Sequence, residues 1–171
     1  MKLNFKFIKM LEEIKLDQTD LLILAQLQQD ASISNQALAA KVFTSPPTCL
    51  RRVKRLKDIG VIERQIAVLS VDKIAPLLGY GLNAMVEITL DRQDTRSLEA
   101  FEARVIQDAA VQQCYRVSPG PDFVLMVFCR DMPGFLALSE RLFTQDANVR
   151  NVKTFFSLKR VKIDFNLNVL F

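Results

Sequence analysis

The chain has 171 residues, of which half are hydrophobic and a quarter charged, a balance typical of a folded globular protein. No apolar run approaches the ~18 residues of a membrane-spanning helix, so we expect a cytoplasmic protein without a membrane segment. Because the three cysteines lie far apart and histidine is absent, we predict no disulfide framework, no metal site, no cofactor and no catalytic residues.

The positive charge is unevenly distributed along the chain. Residues 1–82 contain 12 Lys and Arg against 8 Asp and Glu, a difference of +4, whereas residues 83–171 contain 11 of each, a difference of zero. This asymmetry predicts an anion-binding module joined to a neutral module. Residues 1–9 are basic and apolar without a continuous signal-peptide core, and we interpret them as an extension outside the folded domain.

Residues 16–60 have apolar residues at helical spacing, which predicts three short helices. Asp17 or Thr19 can cap the first helix, and Ser32 or Ser34 can cap the second. The side chains expected on the inner faces of these two helices are Leu21, Leu24, Leu27, Leu38, Ala39 and Val42.

The third helix is predicted from a strong start and a strong stop. Ser45 fits the N-cap and Pro46 the first helical position, while Gly60 fits the position after the last turn. Three helices with a tight turn between the second and third predict a helix-turn-helix domain over residues 16–70. The extended pattern from Val61 to Leu69 indicates a short wing hairpin, and residues 71–82, rich in Gly and Pro, a linker.

The remaining residues, 83–171, alternate between strand and helix patterns. The predicted order is β-α-β-β-α-β, which is the ferredoxin-like arrangement. The first helix of this domain, Ser97 to Gln107, carries Leu98, Phe101 and Val105 on one face. The strands are predicted at Leu82–Leu90, Val111–Ser118, Phe123–Cys129 and Val149–Ser157, with a further strand at Val161–Val169 and a second helix at Phe135–Phe143. The fold class is therefore α+β.

The third helix carries five cations and no acid between Arg51 and Lys57. At 100° per residue, Cys49, Leu50, Val53 and Leu56 are expected on its inner side, and Thr48, Arg51 and Arg55 on the outer side. An exposed basic helix after a helix-helix turn is typical of a recognition helix in the major groove of double-stranded DNA. The residues expected to approach base edges are Ser45, Pro47, Thr48 and Arg51, and those expected to hold phosphates are Arg52, Lys54 and Arg55.

Three segments together resemble the Lrp/AsnC family of bacterial and archaeal regulators. They are residues 16–20 (LDQTD), residues 33–39 (ISNQALA) and residues 45–56 (SPPTCLRRVKRL), and the likeness continues through Val86-Glu87-Ile88 and Val117-Ser118 to about residue 169. The resemblance implies a winged helix-turn-helix domain joined to a ferredoxin-like sensor domain. It implies sequence-specific control of amino acid metabolism or nutrient-response genes, homodimers that assemble into octamers, and an amino acid bound where dimers meet.

Mapped onto this sequence, the family's effector pocket uses the turn after the second sensor strand and the last core strand of a neighbour. The implied residues are Arg116, Val117, Ser118, Gly120, Pro121 and Asp122, with Met132, Phe155, Phe156 and Ser157 from the other side. Asp122 could pair with an α-ammonium, and the apolar members favour leucine or methionine. Alternatively, Asp122 caps the turn and the phenylalanines are core or interface residues.

The sequence departs from the family pattern at two turns. Pro119 and Pro121 bracket Gly120, which stiffens the turn that the family uses for its effector. Phe43-Thr44 stands where the family often has Gly-Leu between the two helices of the DNA-binding motif. An alternative function also remains open: an amino-acid-binding regulatory subunit that acts on a protein partner without binding DNA.

Overall fold

The computed structural model describes residues 15–79 and 81–170, so the extension predicted at residues 1–9 lies outside the described residues. The chain divides into two compact units. The first unit extends to Val68 and also contains the segment from Ile163 onward, whereas the second unit runs from Leu69 to Lys162.

The first unit contains three helices, as the sequence predicts: α1 (Gln18–Gln29), α2 (Asn35–Lys41) and α3 (Pro46–Asp58). Each helix begins at a residue that satisfies or replaces a free backbone N–H. Asp17 accepts from the N–H of Asp20 in a capping box, Ser34 accepts from the N–H of Ala37, and Pro46 occupies the first position of α3.

The core of the first unit lies where the three helices meet. Its fully buried residues are Ile23, Leu38, Ala39, Val42, Cys49 and Leu56. The inner residues predicted for the second helix are therefore confirmed. On α1 the fully buried apolar residue is Ile23, and Leu24 and Leu27 pack against the core while still partly exposed.

The segment after α3 differs from the prediction. Residues 63–70 are exposed and pair with no other strand in the part of the chain that the structure describes, so the expected wing hairpin is not formed there. The predicted linker contains a helix, α4 (Val71–Leu78), which ends at Gly79 in the left-handed conformation. Pro76 lies inside α4 and removes one intrahelical hydrogen bond, because it has no N–H.

The second unit has the predicted β-α-β-β-α-β order. Its elements are β1 (Leu82–Leu90), α5 (Thr95–Ile106), β2 (Val111–Arg116), β3 (Phe123–Cys129), α6 (Met132–Ser139), which continues as a π-helical turn (Glu140–Thr144), and β4 (Val149–Phe156). The strands form one antiparallel sheet in the order β2-β3-β1-β4, which confirms the ferredoxin-like prediction. Alternate residues of β1 and β3 are buried under the two helices, and the predicted inner face of α5 is confirmed by the burial of Phe101 and Val105.

The strand predicted at Val161–Val169 is wrong. Despite its alternating pattern, this segment joins no sheet among the described residues. The backbone of Leu167 bonds instead to the side-chain amide of Gln28 on α1. The Leu167 N–H donates to Gln28 Oε1 at 2.6 Å, and Gln28 Nε2 donates to the Leu167 carbonyl at 3.1 Å. In the described ranges no helix is both long and apolar enough to cross a bilayer.

Candidate nucleic-acid interface and ligand site

The start of α3 presents small polar groups to solvent. Ser45 and Pro47 are exposed and Thr48 is half-buried. The Ser45 hydroxyl does not cap a backbone N–H but donates to Thr48 Oγ1 at 2.8 Å. Pro46 and Pro47 have no N–H, so the attraction of this end for an anion comes from the helix dipole and from the absence of an acid in the first turn.

Along α3, the exposed face differs from the prediction at one residue. Cys49 and Leu56 are fully buried, as expected, but Leu50 is 60% exposed. Its inward assignment is wrong because α1 and α2 cover only the stripe of α3 that Cys49 and Leu56 occupy. Leu50 therefore lies on the same exposed surface as Arg51 and Lys54.

Arg52 and Arg55 face the N-terminus of α1, where they form a network that we call the arginine clamp (Asp17, Asp20, Arg52 and Arg55). Arg52 Nη1 lies 2.6 Å from Asp17 Oδ2 and 2.8 Å from Asp20 Oδ1. Arg55 Nη1 lies 3.0 Å from Asp20 Oδ2, and its Nη2 donates to the Lys15 carbonyl at 2.7 Å. The sequence predicted phosphate contacts for both arginines, whereas the structure pairs both with carboxylates.

The arginine clamp is centred on a buried acid. Asp20 is 1% exposed, the one buried polar residue among those the structure describes, whereas the side chains of Arg52 and Arg55 are 26% and 43% exposed. The Asp20 N–H and the Arg52 guanidinium lower the pKa of Asp17, and hydrogen bonds to Asp20 and Asp17 raise the pKa of Arg52. Asp17 and Arg52 are therefore charged at neutral pH, and ion pairs dock α3 onto α1.

Sequence reasoning missed the arginine clamp because it considered charge partners only within α3. The signal was present in the acids Asp17 and Asp20, which are three residues apart and therefore lie close together on the first turn of α1. Arg52 and Arg55 are also three residues apart, so two cations on α3 face two carboxylates on α1.

The turn predicted to bind an effector ends at Asp122, which holds the end of β1. The Leu90 N–H donates to Asp122 Oδ2 at 2.7 Å, and Gln93 Nε2 donates to the same oxygen at 3.2 Å. The Asp122 N–H donates to the Ile88 carbonyl at 2.8 Å. The Asp122 carboxylate thus holds the end of β1 and the Gln93 side chain, and its part in an effector pocket stays a prediction.

Arg116 lies on the helix-covered side of the sheet. Its Nη2 is 2.7 Å from Glu102 Oε1 on α5, and its guanidinium lies 5.9 Å from the centre of the Phe123 ring. The other predicted residues of this turn, which are at least partly exposed, are Val117, Ser118, Gly120 and Pro121.

The second group of predicted effector residues lies at the opposite end of β1. Phe156 pairs with Ala84, Phe155 pairs with Met85, and the Ser157 N–H donates to the Asn83 carbonyl. Met132 and both phenylalanines are 40–44% exposed. Five to six strand residues separate this end from Asp122, or about 15–20 Å. The two groups therefore do not meet within one chain.

The side of the sheet opposite the helices is uncovered in the single chain. It presents Met85 and Phe155, both more than 40% exposed, beside Met126, which pairs with Met85, and Tyr115, which pairs with Val124. We call this surface the open sheet face. Its apolar residues lie next to a charged pair on the same face, Glu87 and Lys153, whose side-chain atoms are 4.0 Å apart. An exposed apolar surface rimmed by polar groups is typical of one that another protein covers.

Other chemistry is weakly represented in the described residues. They contain no cluster of three His, Cys, Asp or Glu side chains that could hold a metal ion. Burial raises the pKa of Cys49, Cys114 and Cys129, so these thiols are not activated nucleophiles. Cys49 is therefore a small core residue, as its inward position on α3 predicts.

Comparison with known proteins gives two matching family models. Residues 16–63 match a winged helix-turn-helix DNA-binding domain, and residues 83–167 match the Lrp/AsnC ligand binding domain. The chain is 36% identical over 149 residues to an uncharacterized HTH-type transcriptional regulator of Haemophilus influenzae, covering 87% of this chain and 86% of the relative. It is 35% identical over 153 residues to the leucine-responsive regulatory protein of Rhizobium meliloti, covering 90% and 96%.

Solved structures agree with these matches. A transcriptional regulator of Neisseria meningitidis in complex with L-Met superposes with a TM-score of 0.79 at 30% identity, covering 91% of this chain and 97% of that one. An AsnC family transcriptional regulator of Agrobacterium tumefaciens superposes with a TM-score of 0.80 at 27% identity, covering 90% and 97%.

Proposed function

The chain belongs to the Lrp/AsnC family of transcriptional regulators, and from this premise we propose which of its residues contact DNA and which bind an effector. It is a DNA-binding regulator whose second unit responds to an amino acid. We assign the DNA contact to α3 and the effector contact to the sensor unit. Since its named relatives are regulators, we propose a cytoplasmic protein with no catalytic role.

The observation that carries the DNA interface is a long stretch without acids. Residues 31–57 contain six Lys and Arg (Lys41, Arg51, Arg52, Lys54, Arg55 and Lys57) and no Asp or Glu, and they span α2, the turn and nearly all of α3. Such a surface attracts a polyanion. Ser45, Pro47 and Thr48 supply base-edge contacts from the N-terminal half of α3, whereas we reassign Arg51, which the sequence grouped with them, to a phosphate.

Phosphate contacts fall mainly to Arg51 and Lys54, because both are exposed and neither has a carboxylate partner among the described contacts. Arg52 is held by two carboxylates and positions the helix. Arg55 also pairs with Asp20, although its side chain is 43% exposed and can still approach a phosphate at the edge of the site.

The amino acid effector binds between chains. The support is that the turn residues (Arg116, Val117, Ser118, Gly120, Pro121 and Asp122) and the second group (Met132, Phe155, Phe156 and Ser157) lie at opposite ends of β1, so one pocket containing both groups requires two chains. Leucine or methionine fits the apolar side chains of the second group, and the Neisseria relative was solved with L-Met.

Two chains form a homodimer by covering the open sheet face, and four dimers form an octamer. The exposed apolar residues of this face, Met85, Met126 and Phe155, support the dimer. The octamer rests on family likeness. Dimerisation also meets a need of DNA binding, since one short helix contacts too few bases and two half-sites about one turn apart restore specificity.

The test of the DNA interface uses the salt dependence of binding to a duplex selected from random sequences. Each lost phosphate contact reduces the slope of log K against log salt by about 0.9. We expect Arg51→Gln and Lys54→Gln each to weaken binding and to lower the slope by this amount without changing the melting temperature. Glu140→Gln, an exposed substitution outside the first unit, is the control. Unchanged slopes in both α3 variants would contradict the assignment.

The test of the effector site is a thermal-shift panel of the twenty amino acids on the full chain. We expect leucine or methionine to raise the melting temperature, and Met132→Ala to reduce that rise. A rise that persists in both Met132→Ala and Asp122→Asn would remove these residues from the pocket.

A further inference from the structure

Phe43 is exposed and conformationally strained in the turn between α2 and α3. Its φ angle is +54°, the one positive φ of a non-glycine residue in the described chain, and the residue is 92% exposed. A bulky side chain in the left-handed region is energetically unfavourable, and because the phenyl ring is exposed, no hydrophobic burial offsets this cost.

The strain is imposed by the end of α2. The Thr44 N–H donates to the Ala39 carbonyl at 3.0 Å, and the Phe43 N–H donates to the Ala40 carbonyl at 3.4 Å. These two bonds form a Schellman motif, in which the residue after the C-cap must be left-handed and is usually glycine. Phe43 holds that position, so neither the backbone nor the core explains the aromatic ring.

The surroundings of Phe43 identify the partner. The turn lies two residues before the N-cap of α3, the helix end that approaches base edges, and it lies inside the acid-free residues 31–57. A second copy of the same surface would bring like charges together, whereas duplex DNA neutralises them. A duplex also offers apolar groups, the deoxyribose carbons and the thymine methyl group, at the edge of the major groove.

We propose that Phe43 is an apolar DNA contact, whose ring packs on the carbon groups that a duplex presents beside the N-terminus of α3, the deoxyribose or a thymine methyl. This inference rests on the proposed DNA interface and extends it from charge to an apolar contact. The strained conformation is then maintained for DNA binding, at a cost to the stability of the free protein.

If Phe43 contacts DNA, its replacement should raise the stability of the free protein and lower its affinity for DNA. Phe43→Gly relieves the left-handed strain, so the first unit is expected to melt about 2–5 °C higher. The same substitution is expected to weaken binding to a selected duplex about fivefold to twentyfold, since half-burial of a phenyl ring is lost. Phe43→Asn, which tolerates the left-handed region without the added freedom of glycine, is expected to weaken binding equally.

The salt slope distinguishes an apolar contact from an ionic one. In both variants it is expected to stay at the wild-type value, whereas Lys54→Gln lowers it by about 0.9. Ile106→Ala, which removes a similarly exposed apolar side chain at the end of α5, is expected to leave affinity unchanged.

Three outcomes separate the ideas. If the wild-type chain does not bind duplex DNA, the proposed function fails. If it binds and both Phe43 variants bind equally well, the Phe43 contact is refuted while the DNA interface stands. The third outcome is that both variants change the oligomer mass measured by light scattering, while the affinity of each dimer for DNA is unchanged. This outcome would also refute the proposal, and it would assign Phe43 to a contact between copies of the chain.

Discussion

Replacement of Asp20 by asparagine is expected to loosen α3 from α1. The substitution keeps the shape of the side chain but removes the charge that Arg52 and Arg55 share at 2.8 and 3.0 Å. Breaking a buried ion pair by removal of one partner costs about 3–5 kcal/mol, and partial exposure of both guanidinium groups returns some solvation. We therefore expect a loss of about 2–3 kcal/mol, a large share of the ~5–15 kcal/mol that stabilises a typical domain.

The measurement is hydrogen exchange followed by mass spectrometry on the full chain, because it reports each unit separately. In Asp20→Asn the amides of α1 and α3 are expected to exchange about 30- to 150-fold faster under conditions where exchange follows opening, whereas those of α5 keep the wild-type rate. Asp30→Asn is the matched control: in the described part of the chain the Asp30 carboxylate accepts from neighbouring Ser32 at the exposed end of α1, so little change is expected.

A second substitution tests whether Asp20 acts through Arg52. Arg52→Gln is expected to destabilise the wild-type protein more than it destabilises Asp20→Asn, because the pair is already broken in the variant. Two results would contradict the Asp20–Arg52 ion pair. One is that the α3 amides exchange no faster in Asp20→Asn than in Asp30→Asn. The other is that the losses of unfolding free energy from Asp20→Asn and Arg52→Gln simply add.

Further predictions concern the sensor unit and the chain end. The hydrogen bond from Arg141 lowers the pKa of Asp108 below its ordinary 3.8. The ion pair therefore stabilises the fold above pH 3.8, and this stabilisation is lost as the pH falls through the lowered pKa. Asp108→Asn should reduce the dependence of the free energy of unfolding on pH in the acid range. Met126→Arg should place a charge on the open sheet face and convert dimers to monomers in analytical ultracentrifugation, and an unchanged mass would exclude that face. Gln28→Ala should remove both side-chain bonds to Leu167 and speed proteolysis after residue 162 severalfold, with no effect expected if the segment is held elsewhere.

The sequence by itself determined the local elements of both units. The caps at Asp17 and Ser34, the Ser45-Pro46 start of α3 and the stop at Gly60 are local signals, because each depends on a few consecutive residues. The strand and helix periods of the second unit likewise predicted its β-α-β-β-α-β order, since one buried face imposes a repeat on the sequence.

Only the tertiary structure decided which side chains are free to bind. Arg52 and Arg55 look like DNA-binding cations within α3, but the acids that hold them lie 32 to 35 residues earlier in the chain. Leu50 is exposed because of what α1 and α2 leave uncovered, and residues 161–169 alternate like a strand yet bond to a side chain of α1. Asp122 and Phe156 lie at opposite ends of β1, a separation set by strand register. Such contacts between distant elements leave no period in the sequence, and for that reason periodicity predicted the elements but not the pairing of their charges.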